Sequence, residues 1–148
     1  MEETISIDLL STASTQEIAE LLELSLQLHV NCSPNFGDWI KEIIDFQTGF
    51  LFVARNEVGT IVGMIVLIYY PMPRGYHKAW IEDLIVDASF RGKGIGEKLV
   101  KAALDKAKEI KVKTVNLTSR PGREATDHLY QKVGFKKTET NLYRFSFE

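Results

Sequence analysis

Cysteine is almost absent from this sequence: Cys32 is the single one in 148 residues, so no disulfide can form within the chain. No nucleophile signature surrounds Cys32, and it is read as an inert thiol. Proline occurs only four times and glycine ten, which excludes collagen-like and proline-rich architectures. Long apolar runs are missing as well. The most apolar stretch, Ile61 to Tyr70, contains Gly63 and falls short of the roughly 20 residues a bilayer span needs. The opening Met-Glu-Glu-Thr lacks the positive charge of a secretory signal, so a cytoplasmic location is expected. Neither sign of charge dominates, with 18 Lys plus Arg against 20 Asp plus Glu and a net charge of −2. That balance speaks against a protein whose main task is coating nucleic acid or an anionic membrane. His29 and His77 lack the spacing of a metal site and there is no Cys/His cluster, so no metal is expected.

What remains is an ordinary globular composition, 45% hydrophobic and 26% charged, with a length that fits one domain of roughly 150 residues. Thr4 to Leu10 alternates Ile5, Ile7 and Leu9 with polar neighbours, the period of a half-buried strand. Ser14-Thr15-Gln16-Glu17 is a capping box, and the helix behind it runs to about Val30 with Ile18, Leu21, Leu22 and Leu28 on one stripe. Asn31 to Asp38 reads as a loop and Trp39 to Phe46 as a shorter helix. Strands Phe50–Arg55 and Thr60–Tyr69 flank the turn Asn56-Glu57-Val58-Gly59. Pro71 to Gly75 is a break, Ala79–Val86 a strand, Gly92–Ile110 a helix and Val112–Thr118 a strand. Glu124–Val133 is a helix ended by Gly134, and Phe135–Lys137 and Leu142–Phe147 read as closing strands. A crossover helix makes the Ala79–Val86 and Val112–Thr118 strands parallel. The expectation is an α+β fold: a mixed, mostly antiparallel sheet with a parallel pair in its middle and helices on both faces.

Arg91-Gly92-Lys93-Gly94-Ile95-Gly96 lies between a strand and an amphipathic helix, where backbone amides and the positive helix end converge on an anion. Alternating glycines remove the Cβ atoms that would hold a pyrophosphate off the backbone, and Arg91 and Lys93 add charge. The Rossmann spacing G-x-G-x-x-G fails because Glu97 stands at the third position, and the P-loop spacing fails at the same residue. A glycine-rich helix start without a ligand would look the same locally.

The motif has company. Arg91 to Gly96 fits R/Q-x-x-G-x-G/A, Ile81 to Asp87 precedes it as a central strand, and Leu129-Tyr130-Gln131-Lys132-Val133-Gly134-Phe135 follows. Together these resemble the GNAT superfamily of N-acetyltransferases over essentially the whole chain. The Glu82-Asp83 pair is similar to that of polyamine acetyltransferases.

The resemblance implies that acetyl-CoA is the co-substrate. Its pantetheine arm would lie between Trp80–Val86 and Val115–Thr118, paired with the main chain of Leu84, Ile85 and Val86. A bulge near Leu84 or Ile85 would leave that parallel pair splayed and create the opening. The pyrophosphate would rest on amides from Arg91, Gly92, Lys93, Gly94, Ile95 and Gly96. Tyr130 resembles the family's general acid: phenols ionise near 10 and thiols near 8.5, so a Tyr can donate to a departing thiolate. A helix tyrosine packed in the core would read alike. Many relatives carry an Asn shortly before this Tyr. Ser119 to Thr126 has none, and Arg123 stands near its place as an alternative cofactor contact. Glu82 resembles the carboxylate that deprotonates the amine, which reaches the site mostly as an ammonium. A carboxylate paired with a neighbouring cation is the other reading. Because adjacent strand residues point to opposite faces, Glu82 and Asp83 are not expected to face one acceptor. His29, Trp39, Tyr69 and Asp83 are candidate acceptor contacts, with the aromatics able to hold a cation. The activity implied is acetyl transfer to a primary amine of a small polyamine or amino compound. A protein N-terminus or lysine is an alternative acceptor, and a non-catalytic acyl-CoA-binding module an alternative function. Homodimers are usual among such proteins, so pairing of two copies stays open.

Overall fold

The computed structural model describes residues 3–147, which divide into two compact units, one ending at Thr118 and the other beginning at Ser119. The first holds β1 (Ser6–Leu9), α1 (Thr15–Leu28), α2 (Phe36–Asp45), β2 (Gly49–Arg55), β3 (Ile61–Met72), β4 (Tyr76–Val86), a short 3-10 turn (Ala88–Phe90), α3 (Ile95–Glu109) and β5 (Thr114–Asn116). The second holds α4 (Glu124–Val133). The sheet runs β1-β2-β3-β4-β5, antiparallel except for the β4–β5 pair. The expected α+β class with a mixed sheet is therefore present. No helix among the described residues is long and apolar enough to cross a membrane.

Two helical layers follow from the alternation of the strands. Leu51, Val53, Met64, Val66 and Ile85 point to one face and form a core with Leu21 and Leu24 of α1 and Ile40 of α2. On the other face Gly63 sits beneath α3: a Cβ there would lie 3.0 Å from Leu99 Cδ1 and 3.2 Å from the Ile85 carbonyl. Leaving out that one methyl group lets α3 lie directly on β3. The capping box holds as read, with Ser14 Oγ accepting from Glu17 N at 3.1 Å and Glu17 Oε1 from Ser14 N at 3.0 Å. The β2–β3 turn closes through Gly59 at φ +87°.

Four local readings are corrected. First, α2 begins at Phe36, inside the expected loop, its entry closed by Phe36 N donating to the Ser33 carbonyl. Second, β3 continues through Pro71, which opposes His77. Tyr69 N donates to Thr48 O, so the backbone nitrogen two residues on faces the same side, past the end of β2, and proline's missing donor costs nothing there. Third, α3 starts at Ile95, not Gly92, because Gly92 and Gly94 both hold φ +79°, a left-handed geometry that cannot extend a right-handed helix. Fourth, no strand forms at Phe135–Lys137 or Leu142–Phe147. The unit beginning at Ser119 contains one helix and no strand to pair with, and the Phe135 amide is already used: it donates to Tyr130 O at 2.9 Å while Gly134 N donates to Gln131 O at 3.1 Å. These two bonds are a Schellman cap. With those strands unformed, the parallel pair lies at the β5 end of the sheet instead of its middle.

Candidate active site

The chemistry-bearing part of the first unit is the second half of β4. Glu82 opposes Val66 and Ile85 opposes Met64, so β4 takes one residue more than β3, a bulge at Asp83–Leu84. Asp83 sits at φ +48°, a left-handed conformation that costs a non-glycine residue about 1–2 kcal/mol and that Asp tolerates better than most. The bulge includes Leu84, one of the two expected positions, and begins one residue earlier. It resets the alternation, so that Glu82 and Ile85 share the α1 face through their partners Val66 and Met64. The parallel ladder stops at Trp80↔Asn116, while β4 continues to Val86. Beyond Trp80 no strand among the described residues covers that edge. Asp87 N donates to Val62 O at 2.8 Å, which turns the neighbouring N–H and C=O of Val86 toward the open side. Arg91 Nε reaches the same Val86 carbonyl at 3.2 Å.

Past Val86 the chain turns into the glycine loop. Asp87 Oδ1 accepts from Ser89 N at 2.8 Å, and that backbone bond above all holds its carboxyl below the ordinary value. Gly92 and Gly94 follow in left-handed geometry, and a Cβ at either would meet nothing within 4 Å. The space over the loop is open. Gly94 is the N-cap of α3 and offers no side chain to its first turn, leaving the amides of Ile95 and Gly96 for an anion. Lys93 Nζ lies 3.3 Å from Glu3 Oε2 and 4.9 Å from the centre of the Phe90 ring. Two left-handed glycines, an uncapped helix start and two cations fit a diphosphate such as the one acetyl-CoA carries.

The two carboxylates expected on opposite faces are brought to one. Glu82 faces the α1 side, and Asp83 Oδ1 lies 3.3 Å from Nε2 of His29, the C-cap of α1. The bulge is the physical reason for this correction. Partial desolvation first, and the Asp83 charge second, hold the Glu82 carboxyl above its ordinary value. Trp39 on α2 is largely exposed and donates Nε1 to Ser33 Oγ at 3.3 Å. Tyr69 is not brought to Glu82. It stacks on Phe50, 6.0 Å between ring centres, and meets His77 edge-on, on the α3 face, where Lys106 lies over Phe50. The aromatic beside Glu82 is Trp80, two residues earlier on the same face, with its Nε1 donating to Tyr70 Oη at 3.0 Å. Period-two alternation from Glu82 was the signal that could have found Trp80. A cavity of about 260 Å³ lies elsewhere, between β1, the end of α2 and β2, lined by Leu10, Ile44 and Phe46 among others.

In the unit from Ser119, Tyr130 is half-buried on α4 and packs edge-on against Phe135, 5.8 Å between centres. This is the hydrophobic contact of the Schellman cap, so the run from Tyr130 to Phe135 has a local reason to exist apart from any chemistry. Burial holds the Tyr130 hydroxyl above the usual phenol value, opposed by Arg123 and reinforced by Asp127. Arg123 stands at the N-cap of α4 without capping it, and Asp127 Oδ1 accepts from Ser119 Oγ at 2.7 Å.

A family model described as Acetyltransferase (GNAT) family matches residues 16–135. The mycothiol acetyltransferase of Propionibacterium freudenreichii subsp. shermanii is 33% identical over 100 residues, 66% of this chain but only 31% of that protein. The L-2,4-diaminobutyric acid acetyltransferase of Streptomyces avermitilis is 27% identical over 131 residues, 88% of this chain and 70% of that one. Among solved structures, glucosamine-6-phosphate N-acetyltransferase from Arabidopsis thaliana superposes with a TM-score of 0.78 at 25% identity, covering 97% of this chain and 99% of that one.

Proposed function

The chain belongs to the acetyltransferase (GNAT) family, and from that premise we propose that it is an N-acetyltransferase that transfers the acetyl group of acetyl-CoA to a primary amine of a small molecule, by direct attack of the amine on the thioester. The observation that carries this reading is the succession of a bulged, unpaired β4 edge and a loop of left-handed glycines ending at an uncapped helix. The family match runs across the Thr118–Ser119 division, which supports treating the whole chain as one acetyltransferase domain.

Bound acetyl-CoA supplies an acyl group already activated as a thioester. The chain's own residues do the rest. Amides of the Gly92–Gly96 loop, with Arg91 and Lys93, hold the diphosphate, and Arg123 is a further cationic contact. Leu84 and Val86 offer backbone groups to the amide-bearing arm in the manner of an added strand, with Ile85 between them turned to β3. Glu82 draws the acceptor's ammonium to the α1 face and takes a proton from it, a role its raised pKa suits. Tyr130 keeps its proton through neutral pH and gives it to the departing thiolate. Ordered proximity supplies much of the acceleration.

Adjacent carboxylates on one face, with Trp80 and its hydrogen-bonded partner Tyr70 on the same side of the sheet as aromatic surface, favour a small acceptor carrying more than one amine. The diaminobutyric acid acetyltransferase among the relatives supports the same class. The net charge of −2 supports a small-molecule partner over nucleic acid.

The test is thiol release from acetyl-CoA across polyamines, diamino acids and peptides with free N-termini. Small diamines should turn over fastest. Tyr130→Phe should lose roughly 10²–10⁴ in kcat while keeping affinity for CoA, because the Phe ring preserves the contact with Phe135. Tight CoA binding without turnover of any amine would make the protein a non-catalytic acyl-CoA-binding module instead.

A further inference from the structure

Three hydrogen bonds tie the end of α1 to the segment between Asp83 and Ala88. His29 Nε2 lies 3.3 Å from Asp83 Oδ1. Gln27 donates Nε2 to Asp87 Oδ2 at 3.2 Å, and its Oε1 accepts from Ala88 N at 3.0 Å. The two side chains stand two residues apart, and their anchor points bracket Leu84, Ile85 and Val86. Each anchor falls where the backbone departs from a regular strand. Asp83 holds the bulge at φ +48°, and Asp87 opens the 3-10 turn that leads to Arg91. Neither Gln27 nor His29 belongs to the buried core, so these contacts set geometry more than they add burial.

We infer that the C-terminal turn of α1, through Gln27 and His29, is a positioning element for the acetyl transfer proposed above: it fixes both ends of the Leu84–Val86 edge and so the relation between the Glu82 carboxylate and the glycine loop. The inference rests on that reading of the reaction. His29 acts through Asp83 and Gln27 through Asp87 and the Ala88 amide; neither exchanges a proton with the substrates. A displacement of the order of 1 Å in such a frame can cost about a hundredfold in rate, which gives exposed hydrogen bonds a leverage on catalysis that they lack on stability.

The experiment combines kinetics with amide nitrogen–proton correlation spectra of the ligand-free protein. His29→Ala and Gln27→Ala should each lower kcat about tenfold or more, with melting temperatures within about 4 °C of wild type. His29→Gln, whose amide nitrogen stands near the place of Nε2, should recover most of the loss. The resonances of Asp83 through Ala88 should move in both alanine variants and return toward wild type in His29→Gln. Unchanged kcat with unmoved resonances would overturn the inference. So would a His29→Gln variant as slow as His29→Ala, since the imidazole itself would then be a proton acceptor. A wild-type protein that releases no thiol with any amine, while the resonances respond as stated, sinks the acetyl-transfer reading and leaves the anchoring intact, so the two failures are told apart.

Discussion

At Glu82 the role proposed in proton transfer runs against stability. Its folded-state pKa lies above the ordinary 4.5, so the folded protein holds that proton more tightly than the unfolded chain. Whatever stability this contributes is complete below pH 4.5 and disappears as pH rises through the shifted value. Glu82→Gln should therefore melt slightly above wild type at pH 7, with the difference closing as the pH falls below 4.5. Its kcat/KM should drop, and the limb of the pH–rate profile that reports the carboxylate should vanish. An unchanged profile would remove Glu82 from the reaction. Glu17 has the opposite sign: the Ser14 amide foremost, and then Arg55, hold its carboxyl below 4.5. Its contribution is present at neutral pH and is lost as pH falls below that value, so Glu17→Gln should flatten the acid side of a melting-temperature profile.

Among the elements, the loop before α3 separates conformation from contact. A methyl group at Gly94 meets nothing within 4 Å, so the cost of Gly94→Ala lies in its φ of +79°, about 1–2 kcal/mol. Denaturant titration should register that loss, and the KM for acetyl-CoA should rise as the amides of the first turn shift. An unchanged KM alongside that loss of stability would show that the loop does not cradle the diphosphate. The turn of the loop was legible in the sequence because glycine at alternate positions before an amphipathic run suits a left-handed entry into a helix. The capping box at Ser14 and the cap at Gly134 were legible because each is set by residues within one turn. The shared face of Glu82 and Asp83 was not. Alternation along β4 assumes a regular pleat, and the added residue exists only in register with β3, whose paired residues lie well back along the chain. Tyr69 failed likewise: its face is fixed by Phe50 on a neighbouring strand.

For the molecule as a whole, composition limited the answer without choosing it. Balanced charge and a lone cysteine left many enzyme classes open, and three short motifs in order narrowed them. The closing strands were misread because hydrophobic alternation at Leu142–Phe147 says nothing about whether a partner strand is present. Charge balance also bears on binding. Glu3 already neutralises Lys93, so Glu3→Gln should tighten CoA at low salt, and isothermal titration should show the gain fading as salt screens the loop. The guanidinium of Arg91 has a further effect before any ligand arrives. A strand edge left bare invites a neighbouring molecule to stack its own backbone alongside. With a kink at Asp83, two acidic side chains and an arginine latched onto the terminal carbonyl, this margin is poorly shaped for uninvited ladder growth. The edge proposed to admit an amide-bearing cofactor is thereby defended against the protein's own aggregation.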